Sequence, residues 1–292
     1  GVIAGMSGSP IYIDGRMIGA LAYAWPYSKD SIAGITPIRE MLDIFKFDSK
    51  DSQRTITKSS ESHEGWAKTA HYEMAVPSTA SEYAVMKPIM TPMVFSGFSP
   101  EALEFFRPTL ESFGVVPMSG GSFAEQLSEM DVPFQEGSAV GVQLVRGDLT
   151  ASAIGTVTLV DDGKVLAFGH PFMLSGSVNF PMTTAYVHAV LSSMVVSSKM
   201  STALKSVGAM VQDRSAGISG VLGNSPSMVP VSLRVHPEGN SVEEYDFEVV
   251  RNRQMLPSLV GMALSGSFAR TFNNFGKFAA AIHYDIELEN LP

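Results

Sequence analysis

The sequence predicts a β-dominated α+β fold with a few helices. Three observations carry this. The 292 residues are 45% hydrophobic and 17% charged, a composition that fills a sizeable core rather than one that stays disordered. The 26 glycines and 17 prolines fall at many separate points, which punctuates the chain into short strands and turns and argues against a helical bundle. Two Asp-Gly pairs, Asp14-Gly15 and Asp162-Gly163, each stand between apolar runs, a strong short-range signal for a β-hairpin.

Taken in order, Ile11–Ile13 and Met17–Tyr23 flank Asp14–Arg16 as a first hairpin. Residues 37–45 put Ile38, Met41, Leu42 and Phe45 on one face of a short helix that Pro37 opens. Residues 46–72 are polar and read as a linker or exposed loop. Residues 73–136 are mixed, with a helix starting near Ser99-Pro100. The β-rich part runs over 137–292. It opens with a strand within Gly137–Leu149, and a second hairpin joins Ala153–Val160 to Val165–His170. A helix is expected around 182–197, strands at Val229–Val235 and Glu243–Val250, a helix over 257–276, and a last strand at 280–288. The organisation expected is therefore 1–45, 46–72, 73–136 and 137–292.

Composition also excludes some chemistry. The net charge of −9 comes with no basic stripe to track phosphates, so no nucleic-acid partner is expected. Zero cysteines remove disulfides, thiolate ligands and a cysteine nucleophile, and leave the compartment open. His63, His71, His188, His236 and His283 show no metal-binding spacing, so no metal is expected. His188 reads as a packing residue on the expected helix with Tyr186. No apolar run reaches the roughly 18 residues of a membrane span. No signal peptide is visible, and Gly1 reads as the middle of a domain, so further residues are expected upstream.

Two motifs carry chemistry. In GMSGSP (Gly5–Pro10), glycines around Ser7 allow a tight turn that aims the Gly5 and Ser7 amides at one point, the arrangement an oxyanion hole requires. The plainer alternative is a turn before a hairpin, and MSGGS at 118–122 and LSGSF at 264–268 show how readily such patterns arise. In the second hairpin, His170 ends a strand ahead of Pro171, where a base would be held rigidly. The alternative there is a capping histidine bonded to a neighbouring carbonyl. The nucleophile elbow of the α/β-hydrolases fits worse, because Ser9 replaces its last glycine and a strand, not a helix, follows.

GMSGSPI (Gly5–Ile11) and GTVT…FGH (Gly155–His170) together resemble the SpoIVB-type sporulation serine peptidases, a family placed among the chymotrypsin-like double barrels. Ala139–Thr158 looks like that family's approach to its histidine strand, and Ser206–Gly220 like the segment after it; the likeness covers roughly 1–45 and 137–250. The resemblance implies small chymotrypsin-like β-barrel halves, Ser7 as nucleophile, His170 as base, Gly5 and Ser7 amides as the oxyanion hole, and a polypeptide substrate without a cofactor. It also implies a bacterial envelope (periplasm) or extracellular location. Two departures stand out. The serine half precedes the histidine half, so the site is expected either from a permuted chain or with an upstream segment or second chain completing it. The family's acid lies shortly before its serine, but no acidic residue precedes Ser7; Asp213, Asp161 and Asp162 are the candidate substitutes. The expected function is a serine endopeptidase acting through an acyl-enzyme, self-processing being one form of it. The alternative is a non-catalytic binding or scaffold protein on a degenerate peptidase fold.

Overall fold

The computed structural model describes residues 2–25, 32–47, 85–112, 114–121, 130–194, 196–237, 242–272 and 281–287. Most of the expected linker at 46–72 lies outside them.

Both Asp-Gly pairs form hairpin turns. Asp14 and Gly15 take φ values of 48° and 72°, and Asp162 and Gly163 take 45° and 74°. Two successive left-handed residues match the right-handed twist of the strands they join. The first turn links β1 (Pro10–Ile13) to β2 (Arg16–Ala24), and β3 (Ala33–Pro37) runs antiparallel to β2. A two-residue strand, β4 (Lys87–Pro88), also pairs with β2 and completes a four-stranded sheet. Helix α1 (Ile38–Leu42) and a 3-10 turn (Asp43–Lys46) follow β3 and bury Met41 and Ile44 against Ala20 and Leu166.

The second sheet has ten strands: β5 (Thr91–Ser96), β6 (Val115–Ser119), β7 (Ala139–Gly147), β8 (Thr150–Asp161), β9 (Lys164–Ala167), β10 (Gly176–Leu191), β11 (Ser198–Arg214), β12 (Gly217–Leu222), β13 (Met228–Val235) and β14 (Glu243–Val250). Their order is β13-β14-β7-β10-β11-β12-β9-β8-β5-β6, with a further ladder between β7 and β8 that curls the sheet until distant parts of its path meet. Helices α2 (Pro100–Ser112) and α3 (Leu256–Phe272) cover it through Leu103, Leu110, Leu259 and Met262. The core beneath holds Met93, Phe95, Leu144, Phe168, Phe180, Met182 and Met210.

Three expectations are corrected. The fold is mixed α+β with one large sheet, not a pair of chymotrypsin-like β-barrel halves. β10 and β11 are 16 and 17 residues long, and β13-β14 and β5-β6 extend the path to two edge strands. Two halves built from short hairpins would form two separate small sheets; here the long β10–β11 ladder helps join ten strands into one curled sheet. The helix expected at 182–197 is the end of β10 and its connection to β11. Met182, Tyr186 and Val190 share a four-residue spacing, but residues 180–185 are buried on both faces of a strand flanked by β7 and β11, which hides the two-residue alternation. Residues 281–287 form no strand.

Phe168 fixes how the β8–β9 hairpin closes. It is fully buried, and its ring lies so close over Gly155 that a Cβ there would sit 2.1 Å from Cε1. Phe168→Ala is expected to cost about 3–5 kcal/mol, seen as a lower urea midpoint with an unchanged slope.

Candidate active site

The Ser7 turn is anchored on three sides. Its own backbone closes it: the Ser9 N–H donates to the Met6 carbonyl at 2.9 Å, and the Ser9 hydroxyl donates to the same oxygen at 2.7 Å. β2 holds it from the hairpin side, Gly8 N–H donating to Leu21 O at 2.8 Å and Leu21 N–H to Ser9 O at 2.9 Å. Upstream, Ala4 makes a parallel bridge to Ser198 at the start of β11.

The third anchor comes from the other motif. On β8, Thr156 and Thr158 stand two residues apart and so present their hydroxyls to one face. Thr156 Oγ1 donates to Gly5 O at 2.9 Å, Thr158 Oγ1 donates to Gly8 O at 2.7 Å, and the Thr156 N–H donates to Ser7 O at 2.9 Å. Strand and turn approach so closely that Gly8, at φ +95°, has no room for a side chain: a Cβ would lie 2.0 Å from Thr156 O and 2.5 Å from Phe168 N. The structure thus brings the serine and histidine motifs together within one chain.

His170 follows two left-handed residues, Phe168 (φ 68°) and Gly169 (φ 70°), which turn the chain out of β9. The Thr36 hydroxyl donates to Gly169 O at 2.5 Å, tying this corner to β3. His170 is 3% exposed, and its Nδ1 lies 2.8 Å from Pro171 O. A carbonyl only accepts, so Nδ1 carries the proton and Nε2 keeps its lone pair. Burial lowers the ring's pKa to about 4 against the smaller opposing pull of the Pro171 and Ile89 carbonyls. The ring is therefore neutral at pH 7. Ser7 is 0% exposed. Neither Ser7 Oγ nor His170 Nε2 has a hydrogen-bond partner, so no bond joins them in this state. The Gly5 and Ser7 N–H groups meet no backbone acceptor among the described residues.

The candidate acids sit elsewhere. Asp213 is fully buried, but its carboxylate accepts from the Phe172, Met173 and Ser175 N–H groups at 2.8, 2.8 and 3.0 Å. It shapes the loop after His170 and makes no hydrogen bond with the ring; burial raises its pKa despite the three donors. Asp161 and Asp162 are exposed at the β8–β9 turn. His188 lies on β10, not on a helix, with its Nε2 2.9 Å from Thr202 Oγ1. Of the look-alike motifs, Ser265 and Ser267 lie in α3 and donate back to the Gly261 and Ala263 carbonyls. Among the described residues no group of three or more His, Asp or Glu is placed to hold a metal, and no helix is long and apolar enough to cross a membrane.

Sequence reasoning missed Lys199. Its Nζ donates to Thr156 Oγ1 at 3.0 Å, and its stem lies against Gly5, where a Cβ would approach Cδ to 3.2 Å. Burial lowers its pKa to about 8. Nothing in the sequence near Lys199 signals this, because only the long-range Ala4–Ser198 bridge brings it there. No family model matches the chain, and no curated protein or solved structure matches it.

Gly8→Ala is expected to destabilise the protein by about 3 kcal/mol or more, measured by urea unfolding, since the new methyl meets backbone on both sides at an unfavourable φ. His170 sets a pH dependence. Its folded pKa of about 4 lies below its usual 6.5, so its contribution is complete above about pH 6.5 and is lost as pH falls through about 4. Up to about 3 kcal/mol is expected to disappear over that window. Asp213, whose pKa is raised, acts in the opposite sense, its contribution being present at low pH and lost as pH rises. Comparing His170→Asn with the parent protein cancels Asp213, and the variant is expected to lose the histidine part of the slope.

Proposed function

We propose that the chain is a serine endopeptidase, the activity its SpoIVB-type motifs imply, with Ser7 as nucleophile and His170 as base. One observation carries the reading: Ser7 Oγ and His170 Nε2 are both buried without a partner, on two motifs that Thr156 and Thr158 clamp together. Buried polar atoms are nearly always satisfied; Thr183 Oγ1 and Ser201 Oγ are unpartnered too, but of the four only Ser7 Oγ and His170 Nε2 pair the chemistry of a nucleophile with that of a base. Nε2 would take the proton from Ser7 Oγ as the oxygen attacks a peptide carbonyl. The Gly5 and Ser7 amides would receive the negative charge developing on that carbonyl oxygen. Nε2 would then protonate the leaving amine, and water would release the acyl group by the same path. The Pro171 carbonyl orients the ring as an acid would, with less stabilisation of the imidazolium. The substrate is a polypeptide, and the bacterial envelope or the outside of the cell is the place of action we propose, by the same resemblance.

A second reading, a non-catalytic binding or scaffold protein, is favoured by the complete burial of Ser7 and the missing Ser7–His170 hydrogen bond. A fluorophosphonate probe separates the two. The peptidase is expected to give an adduct on Ser7 by mass spectrometry. Ser7→Ala abolishes it, and His170→Ala slows it by about 100-fold or more. Labelling is expected to persist from pH 7 down to about 4, where the base becomes protonated. No adduct, in folded protein whose residue 7 a small reagent reaches, would refute the peptidase and leave the scaffold reading standing.

A further inference from the structure

The segment Lys87–Pro92 runs alongside this site. Along one edge of β2, Leu21 holds the Ser7 turn through Gly8 and Ser9, and the next carbonyl, Ala22, accepts from the Ile89 N–H at 2.8 Å. Pro88 and Lys87 then pair antiparallel with Tyr23 and Ala24. The segment therefore takes up the edge of β2 where the nucleophile turn leaves it. The register of β2 against β3 shifts between Leu21 and Tyr23; such an irregularity re-aims backbone groups next to a site. The Ile89 backbone lies near enough to the His170 ring to oppose part of its pKa depression, without hydrogen-bonding Nε2. Three residues on, the Pro92 ring lies 3.1 Å from where a Cβ on Gly5 would be. Ile89 itself is 5% exposed.

An extended polypeptide lying on the same edge would make the same set of contacts. One N–H would bond to Ala22, its carbonyl would stand by the base, and the following residues would cross the Gly5–Ser7 turn; adding a strand to a free edge is a common mode of peptide recognition. We propose that Lys87–Met90 is a built-in occupant of the substrate groove, which an incoming polypeptide with an aliphatic residue at the Ile89 position must displace. This rests on the peptidase reading. The occlusion follows from Ser7 being fully buried and His170 nearly so. The strap is built to be released. β4 is two residues long, and Pro88 has no N–H to give the ladder.

The absence of cysteine provides a test that does not depend on catalysis. Ser7→Cys places a single thiol in the chain, and its rate of reaction with iodoacetamide reports access to the site. In the double variant with Ile89→Asp the rate is expected to rise at least about 10-fold, because the strap's anchoring residue no longer tolerates its buried position. Circular dichroism and a cooperative urea transition check that the protein is folded. If Ile89→Asp prevents folding, Ile89→Ala takes its place, with a smaller rise expected. Equal thiol rates in folded parent and variant would overturn the strap. The two readings fail separately. A thiol that opens with Ile89→Asp, with no fluorophosphonate adduct in the Ser7 protein carrying the same change, keeps the strap and refutes the peptidase. Ready labelling of the parent with unchanged thiol rates keeps the peptidase and refutes the strap.

Discussion

The candidate site depends on two threonine hydroxyls. Thr156 and Thr158 share a face of β8, and each donates to a carbonyl of the turn that carries Ser7. β8 itself pairs with β5, β7 and β9, so its position is fixed from both edges. The turn has little apolar surface of its own to bury; backbone carbonyls are what it offers, and leaving them unpaired in the interior would cost about 1–3 kcal/mol each. Replacing either threonine with valine would keep the strand and lose the clamp. Lys199 reinforces the clamp from behind, its ammonium bonded to Thr156 Oγ1 while its stem packs on Gly5.

His170 shows how burial and hydrogen bonding divide the work. Burial removes the charge, leaving a neutral ring at ordinary pH, and the Pro171 carbonyl selects the tautomer. No carboxylate is needed for that choice. Asp213 serves the same residue at one remove: by binding three amides of the loop Phe172–Ser175, it sets the course of the chain just beyond the ring. A buried aspartate following a histidine motif reads naturally as an acid partner. Its three donors make it instead the organiser of a loop.

Local signals were legible in the sequence, and long-range ones were not. Asp14-Gly15 and Asp162-Gly163 announced their turns because positive φ at two successive residues is a property of the residues themselves. Ser7 and His170 stood out for the same reason, each embedded in a short motif. The threonines of GTVT were visible as part of a resemblance but not as donors, since their acceptors are about 150 residues away. β10 was misread because a strand buried on both faces loses the alternation by which strands are recognised. The barrel halves were expected from the motifs' family likeness, and the long β10–β11 ladder is part of one curled ten-stranded sheet instead. Lys199 and Ile89 carried no signal at all, because each enters the site through partners on another element.

The distance along the chain between the clamp and its target has a kinetic consequence. Thr156 and Gly5 are 151 residues apart, so the Ser7 turn gains its third anchor only when a very long loop closes. Closure of this kind belongs to the slow, late part of folding. During synthesis the serine motif leaves the ribosome first and waits, unclamped and without its histidine, until β8 and β9 have followed. On the proposed peptidase reading, a chain that has made Ser7 has not yet made a reactive Ser7, and the order of its motifs would keep that serine idle while neighbouring segments are still unfolded.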